Sequence, residues 1–450
     1  MKISRRSFIT RAGASAAGVL IAPYLKLGNV FAYGHVSGPG YLTQVALTQA
    51  FSYDRSLVKQ KVQHLFESIG GIGDIVKAGD KVAIKINLTG GGGDAEHMWT
   101  HPEVLRAVGE LLIESGVSGN DIYIVEALWS TQSFNNYGYL EVKQSLGAQM
   151  VDLNAPAPYA DFVTKDVGSN SSYYNSFTVN GILKDVDVYV SIPKMKQHYE
   201  AGVTASLKNQ IGIVPRQLYT TPTNYGRRDA LHTADGTQSS TTHLPRSICD
   251  LNFACPVHLA VIDGIKNARG GEGTWNPTFQ TWEDHVLLAG KDPVATDSIA
   301  AYLMGNDPGA ATLELPSGGR CDNYLDLLHQ KGMGTNQMTE IQAVGDGASL
   351  VTNVRPPYEV AIPNDFALYQ NYPNPFNPST TFKFHVPTTE YVTIRIYGVT
   401  GQEIETLVEG QVSKGVHELH WTPDGLAGGV YFCEMRAGTF LEIKKMIYQK

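Results

Sequence analysis

K-V-A-I-K-I-N-L at Lys81–Leu88, P-E-V-L-R-A-V-G-E-L-L-I-E-S at Pro102–Ser115 and D-I-Y-I-V-E-A at Asp121–Ala127 follow one another along the chain. The outer two are short runs with strand character. Between them Val104, Leu105, Val108, Leu111 and Leu112 recur at helical spacing. Thr100, three residues before Glu103, reads as a capping box, with Pro102 in the first turn. Val186–Ile192, His258–Ile265 and His285–Ala289 read as further strands. The last precedes a helix with Asp292 as N-cap and Pro293 at its start, running to about Met304. Strands alternating with helices predict an α/β domain layered on a mainly parallel sheet.

The 450 residues exceed one ordinary core. Hydrophobic content of 42% and charged content of 17% mark a folded chain. Residues 1–32 form a first segment: five cations (Lys2, Arg5, Arg6, Arg11, Lys26), no acid, a short apolar run and Val30-Phe31-Ala32 as a cleavage site. That is the pattern of a signal peptide. Residues 33–351 carry the α/β pattern, and residues 215–247 are polar and Thr-rich, predicting an extended surface excursion and a candidate lid. Residues 352–366, with Pro356-Pro357, read as a linker. From residue 367 to 450 apolar and polar residues alternate in short runs: Thr381–Val386, Val392–Tyr397, Glu403–Leu407, His417–Trp421, Gly429–Met435 and Glu442–Tyr448. With glycines between them they predict a small β-sandwich.

The net charge is −8, and beyond residue 32 thirty cations face 43 acids, which argues against nucleic-acid binding. No run beyond the signal approaches 18 apolar residues, so no integral membrane segment is expected in the mature chain. Four cysteines contain no C-x-x-C, so no iron–sulfur motif is present; Cys249 and Cys255 are either a disulfide or two buried small side chains.

Three resemblances carry further expectations. Arg5-Arg6 with Phe8 resembles a twin-arginine signal, with Ile9 and Thr10 departing from the usual residues; the alternative is an ordinary Sec signal. The strings N-Y-P-N-P-F-N-P-S-T, V-T-G-Q-E-I, L-A-G-G-V-Y and K-K-M-I are similar to the type A sorting domain of type IX secretion, over about residues 367–450. Tyr397-Gly398 departs from the acidic residue often found there. This resemblance implies an immunoglobulin-like sandwich, export machinery as partner at both ends, and a secreted or cell-surface location reached through the periplasm of a two-membrane bacterium. P-K-M-K-Q-H, T-A-S-L-K-N-Q-I-G, V-I-D-G-I-K, Gly271-Glu272-Gly273 and D-P-V-A-T-D, in that order over roughly residues 80–310, resemble domain-of-unknown-function family 362. Many relatives append a ferredoxin module that this chain lacks, and the resemblance brings no reaction with it.

Ligands of parallel sheets sit beyond the carboxyl ends of the strands. Lys85 and Asn87 end one predicted strand and lead into Gly90–Gly93; Glu126 ends the next; Lys194, Lys196 and His198 follow the third; Asp263 lies in the fourth. With Lys208 and Asn209, these concentrate cations in an acidic protein and suit a small anionic ligand. His198, Lys196 and Lys208 are the catalytic candidates, His198 as acid or base near neutral pH. Lys85, Asn87, Lys194, Asn209, Asp263 and Glu272 are the ligand-binding candidates. A metal ion is a candidate cofactor, with His101, Glu126 and Asp263 as its ligands. His97 and His101 have i, i+4 spacing but stand at a helix entry, and Asp297 reads as structural. The alternative to an exported protein with such a pocket is a non-catalytic surface binding or structural protein.

Overall fold

The structure, a computed structural model, describes residues 42–90, 94–130, 132–135, 137–221, 228–233, 239–352, 366–368, 371, 374, 376–423 and 425–449. The predicted signal with Arg5, Arg6 and Phe8, residues Gly91–Gly93 of the glycine run, and most of the predicted linker lie outside them. The chain divides into two compact units, up to Arg355 and from Pro356.

The first unit is built on one sheet. Its strands are β1 (Thr43–Gln49), β2 (Val82–Ile86), β3 (Ile122–Glu126), β4 (Gln149–Asp152), β5 (Val188–Ile192), β6 (Lys194–His198), β7 (Gly202–Thr204), β8 (Leu259–Arg269), β9 (Val286–Gly290) and β10 (Ile341–Val344). The order across the sheet is β10-β1-β9-β8-β5-β2-β3-β4, with β6 and β7 branching from β8. Every pairing from β8 to β4 is parallel, whereas β9 is antiparallel to both its neighbours. The mainly parallel α/β expectation therefore holds.

Parallel strands need helical crossovers, which cover both faces and force the strands to be apolar throughout. β2 is buried along its whole length. Strand parity sorts the side chains: Val82, Ile84 and Ile86 face a core shared with helices α1 (Arg55–Ser68), α2 (Pro102–Glu114) and α3 (Tyr139–Leu146). Ala83, Val125 and Tyr189 face the other core, built with α4 (Ser240–Ala254) and α5 (Pro293–Leu303). Lys85 shares the parity of Ala83, so an ammonium enters this second, apolar layer.

The path β2-β3-β4 runs one way across the sheet, and the chain then returns to place β5 on the other side of β2. The strand order reverses between β2 and β5, the point at which a parallel sheet opens a crevice.

Two sequence expectations are corrected. Thr100 does not cap α2: its hydroxyl donates to Ile192 O and accepts from Asn87 N, while His101 takes the cap through Nδ1 and the Glu103 N–H. Residues 240–247 are not part of an extended excursion but the first half of α4, which contains Pro245. Burial of Leu244, Ile248 and Leu251 outweighs the poor local propensity of the Thr-Thr and Pro residues there. Of the two readings open for Cys249 and Cys255, the structure has the buried one: both are free thiols, Cys249 within α4 and Cys255 at its C-cap. Asp292 does cap α5, accepting from Val294 N and Ala295 N.

The second unit holds two antiparallel sheets. One orders β11 (Ala367–Leu368), β12 (Thr380–Val386) and β15 (Gly415–Trp421); the other orders β14 (Glu403–Val412), β13 (Glu390–Gly398), β16 (Gly429–Ala437) and β17 (Phe440–Tyr448). Phe382, Phe384 and Trp421 from the first meet Val392, Ile394, Ile396, Cys433 and Met435 from the second in one core, making a β-sandwich.

Ile84, fully buried in the most central parallel strand, tests the layering. Ile84→Ala should cost about 2–5 kcal/mol in urea unfolding followed on the first unit's signal.

Candidate functional site

Lys85, Asn87, Lys196 and Asn209 form one hydrogen-bonded group at the strand-order reversal. The 3₁₀ turn Lys208–Ile213 lies across the ends of β2, β3 and β5. Asn209 Nδ2 donates to Lys85 O and Ser191 Oγ, both at 3.1 Å, and Ala127 N donates to Gly212 O. Lys85 and Ser191 are register partners, so one amide side chain spans two adjacent strands.

Lys85 Nζ donates to Ile86 O (2.7 Å), Glu126 Oε2 (2.9 Å) and Asn209 Oδ1 (3.1 Å). All three of its protons are thereby used, as a buried ammonium requires. Burial pushes its pKa down against the pull of Glu126. Lys196, equally buried, donates to Asn87 Oδ1 and Met98 O, both at 2.8 Å, and burial lowers its pKa to about 7. Lys85 is saturated by the protein, and Lys196 is held by two protein acceptors.

Lys208 differs. It is 8% exposed, and its Nζ has no hydrogen bond or ion pair among the described residues. Burial lowers its pKa to about 8, with Glu272 and Glu200 acting in the opposite sense. It faces a cavity of about 740 Å³ whose wall also includes Asn87, Glu126, His198, Glu200 and His232. The rim carries two tryptophans. Trp275 lies so close to Gly90 and Gly273 that a Cβ on either would stand 2.4 and 2.3 Å from its ring. Trp129 stacks beneath Arg216, whose Nη1 donates to Leu128 O and Trp129 O.

The contacts of His198 fix its tautomer. Its Nδ1 accepts the N–H groups of Glu200 and Ala201, both at 3.1 Å, so the ring proton sits on Nε2. Burial holds its pKa well below the ordinary value. It is a fixed neutral donor, with Nε2 3.9 Å from Glu272 Oε2. Burial alone would raise the Glu272 carboxyl; His198, the Tyr199 N–H and Lys208 hold it below the usual carboxylate range.

Lys194 and Asp263 form a separate pair. Lys194 Nζ donates to Asp263 Oδ2 (2.6 Å) and Tyr53 Oη (2.8 Å), and Tyr53 donates to Asp263 Oδ1. His101 donates its backbone N–H to the same carboxylate and stacks on Tyr53 with ring centroids 3.6 Å apart. Neither Lys194, Asp263 nor His101 lines the cavity. Of the candidate metal ligands, His101 and Asp263 thus meet through the His101 backbone N–H, whereas Glu126 stands apart on Lys85. Among the described residues no three His, Cys, Asp or Glu side chains stand close enough to hold a metal ion.

Two contributors were not legible. His232 and Arg228 line the cavity from residues 228–233, inside the stretch read as a surface excursion. Arg228 is buried, with Nε donating to Val214 O and Nη2 to Ala127 O. Asp297 supports the site from behind, accepting from Ser206 N (2.9 Å), Leu207 N (2.8 Å) and the Ser206 hydroxyl, immediately before Lys208.

Two outcomes follow from these contacts. A methyl at Gly212 would stand 2.3 Å from Glu126 Oε1 and 2.6 Å from Lys85 Nζ. Gly212→Ala should therefore destabilise by about 1–3 kcal/mol in chemical denaturation. Burial pushes the Asp297 carboxyl up to about 7, from an ordinary value of 3.8. The folded chain then holds a proton that the unfolded chain releases between those values, and stability from this group fades as pH rises through about 7. The stability difference between wild type and Asp297→Asn should accordingly shift against wild type between pH 4 and 8; a pH-independent difference would refute the assignment.

Comparison with known sequences agrees with this division. Residues 82–302 match the family described as domain of unknown function (DUF362), and residues 370–449 match the secretion system C-terminal sorting domain. The thylakoid-associated protein sll1697 of Synechocystis sp. is 27% identical over 267 residues, spanning 59% of this chain and 75% of that relative. The sorting domain marks a secreted or cell-surface protein that engages type IX secretion machinery. No helix among the described residues is long and apolar enough to cross a membrane. The cavity is lined by residues that all fall within the DUF362 match, in a chain that also carries a C-terminal secretion sorting domain.

Proposed function

We propose that the first unit binds a small anionic ligand, carboxylate or phosphate, in the cavity beside the β2–β5 crevice, and that the second unit is an address. Lys208 carries this reading: a cation 8% exposed, without a bonded partner among the described residues, directed at an open polar cavity. Lys85 and Lys196, each bonded to protein acceptors, act by holding Asn209 and Asn87 in place rather than by touching the ligand. His198 Nε2–H adds a neutral donor. The site is not uniformly cationic, since Glu200 and Glu272 also line it. A ligand that pairs its anionic group with Lys208 and offers donors to these carboxylates fits the wall best.

The export route belongs to the same proposal. Residues 1–32 are read as the signal, of twin-arginine type, and the path leads through the periplasm. Residues 33–351 are the functional domain, 352–366 the linker, and the terminal sandwich an immunoglobulin-like sorting module.

Isothermal titration of the full chain with inorganic phosphate and with malonate tests the site. One of them should bind, and Lys208→Ala should weaken it about 10- to 100-fold, the worth of one hydrogen bond to a charged group. Binding unchanged in the variant, or no binding of either anion to wild type, would remove the proposal.

A further inference from the structure

The cavity holds two histidines whose hydrogen bonds fix opposite tautomers. His198 receives two backbone N–H groups on Nδ1 and must carry its proton on Nε2. His232 has Nδ1 3.0 Å from Arg228 O. A carbonyl oxygen only accepts, so Nδ1 of His232 must be the donor and the neutral ring keeps a lone pair on Nε2. That nitrogen is 3.8 Å from Glu200 Oε2, and the side chain is 21% exposed against 6% for His198. Both rings line the same cavity as Lys208.

We propose that His232 Nε2 is the proton acceptor of this cavity, serving a ligand hydroxyl whose neighbouring anionic group rests on Lys208. The inference builds on the anion-binding reading and adds proton transfer to it. In the step, the ligand O–H bond breaks and its electron pair stays on oxygen. A new N–H bond forms at Nε2, and the resulting imidazolium faces the Glu200 carboxylate. The proton returns along the same line to the product oxygen. His198 contributes the complementary element, an N–H already in place for the charge that develops on oxygen.

The charges around His232 agree with this role. Burial and Lys208 lower its pKa, while Glu200, the Arg228 carbonyl and Glu272 act in the opposite sense. The free base is thereby present near neutral pH, and its conjugate acid still finds a counter-charge. A histidine serving only to tie down its own helical turn through Nδ1 would need no carboxylate beside Nε2.

Diethyl pyrocarbonate acylates the unprotonated imidazole nitrogen, and peptide mapping of the full-length chain reads each histidine separately. His232 should react at least about tenfold faster than His198, which lacks a free lone pair, and its rate should fall below about pH 6.5. Glu200→Gln should move that midpoint to lower pH, because a carboxylate that favours the imidazolium is gone; an unmoved midpoint overturns the part given to Glu200. Phosphate or malonate, whichever binds by calorimetry, should protect His232. A His232 no faster than His198, or one left unprotected by an anion that binds through Lys208, overturns the inference while the binding site stands. Failure of both anions to bind defeats the underlying reading instead.

Discussion

The Lys85 ammonium inside an apolar parallel sheet is the constraint on which the site depends. A charge taken from water costs several kcal/mol unless its protons and field are matched. The match here requires three separate pieces of chain: the carbonyl of Ile86 on the same strand, the carboxylate of Glu126 on β3, and the amide of Asn209 on the 3₁₀ turn. Each piece is itself fixed by the need. Asn209 reaches Lys85 only because its turn lies flat on the sheet, and the turn lies flat only because Gly212 has no side chain where Glu126 and Lys85 meet. Removing any one member leaves a buried charge or lone pair unpaired.

Function is separated from this scaffold by one criterion, whether a cation has a protein acceptor. Lys85, Lys194 and Lys196 all have protein acceptors at hydrogen-bond distance. Lys208 sits one residue before the amide that organises the group and shares its turn, yet its Nζ meets none among the described residues. The rigid network thus delivers a pre-positioned ammonium at low entropic cost to any ligand that takes it. Asp297 extends the same logic outward, since it holds the backbone of Ser206 and Leu207 and so fixes where Lys208 begins.

Much of this was readable in residue order. Lys85, Asn87 and Glu126 were picked as strand-end polar residues, and a parallel sheet brings strand ends together whatever the connections between them; Lys208 and Asn209 were picked from a segment that concentrates cations. Strand parity, which sends Lys85 and Asn87 to one face, is equally a property of sequence. Asp263 does not end its strand: β8 runs on to Arg269 and pairs with β6, so its carboxylate meets Lys194 across the ladder instead of the cavity. His232 and Arg228 escaped because their stretch has no periodicity; only tertiary contacts with Val214, Ala127 and Arg228's own carbonyl give it form. The tautomers were beyond reach as well, since they follow from which backbone group lies beside each ring.

The placement of charge bears on how a ligand enters. Beyond the first 32 residues the chain carries thirty cations against 43 acids, and among the described residues six of those cations (Lys85, Arg106, Lys194, Lys196, Lys208 and Arg228) and six of the acids (Glu126, Asp229, Asp250, Asp263, Asp297 and Glu434) are buried. The acidic excess therefore stays outside, and an anion approaches against the long-range field rather than along it. Recognition must then come from contacts made inside, where solvent no longer screens them and where Lys208 and His198 Nε2–H offer donors of fixed position. Such a site discriminates by shape and hydrogen bonding at short range. A general attraction for anions would have exposed the lysines of the site; here Lys85, Lys194, Lys196 and Lys208 are withdrawn into the protein, and of these four Lys208 alone has no bonded partner among the described residues.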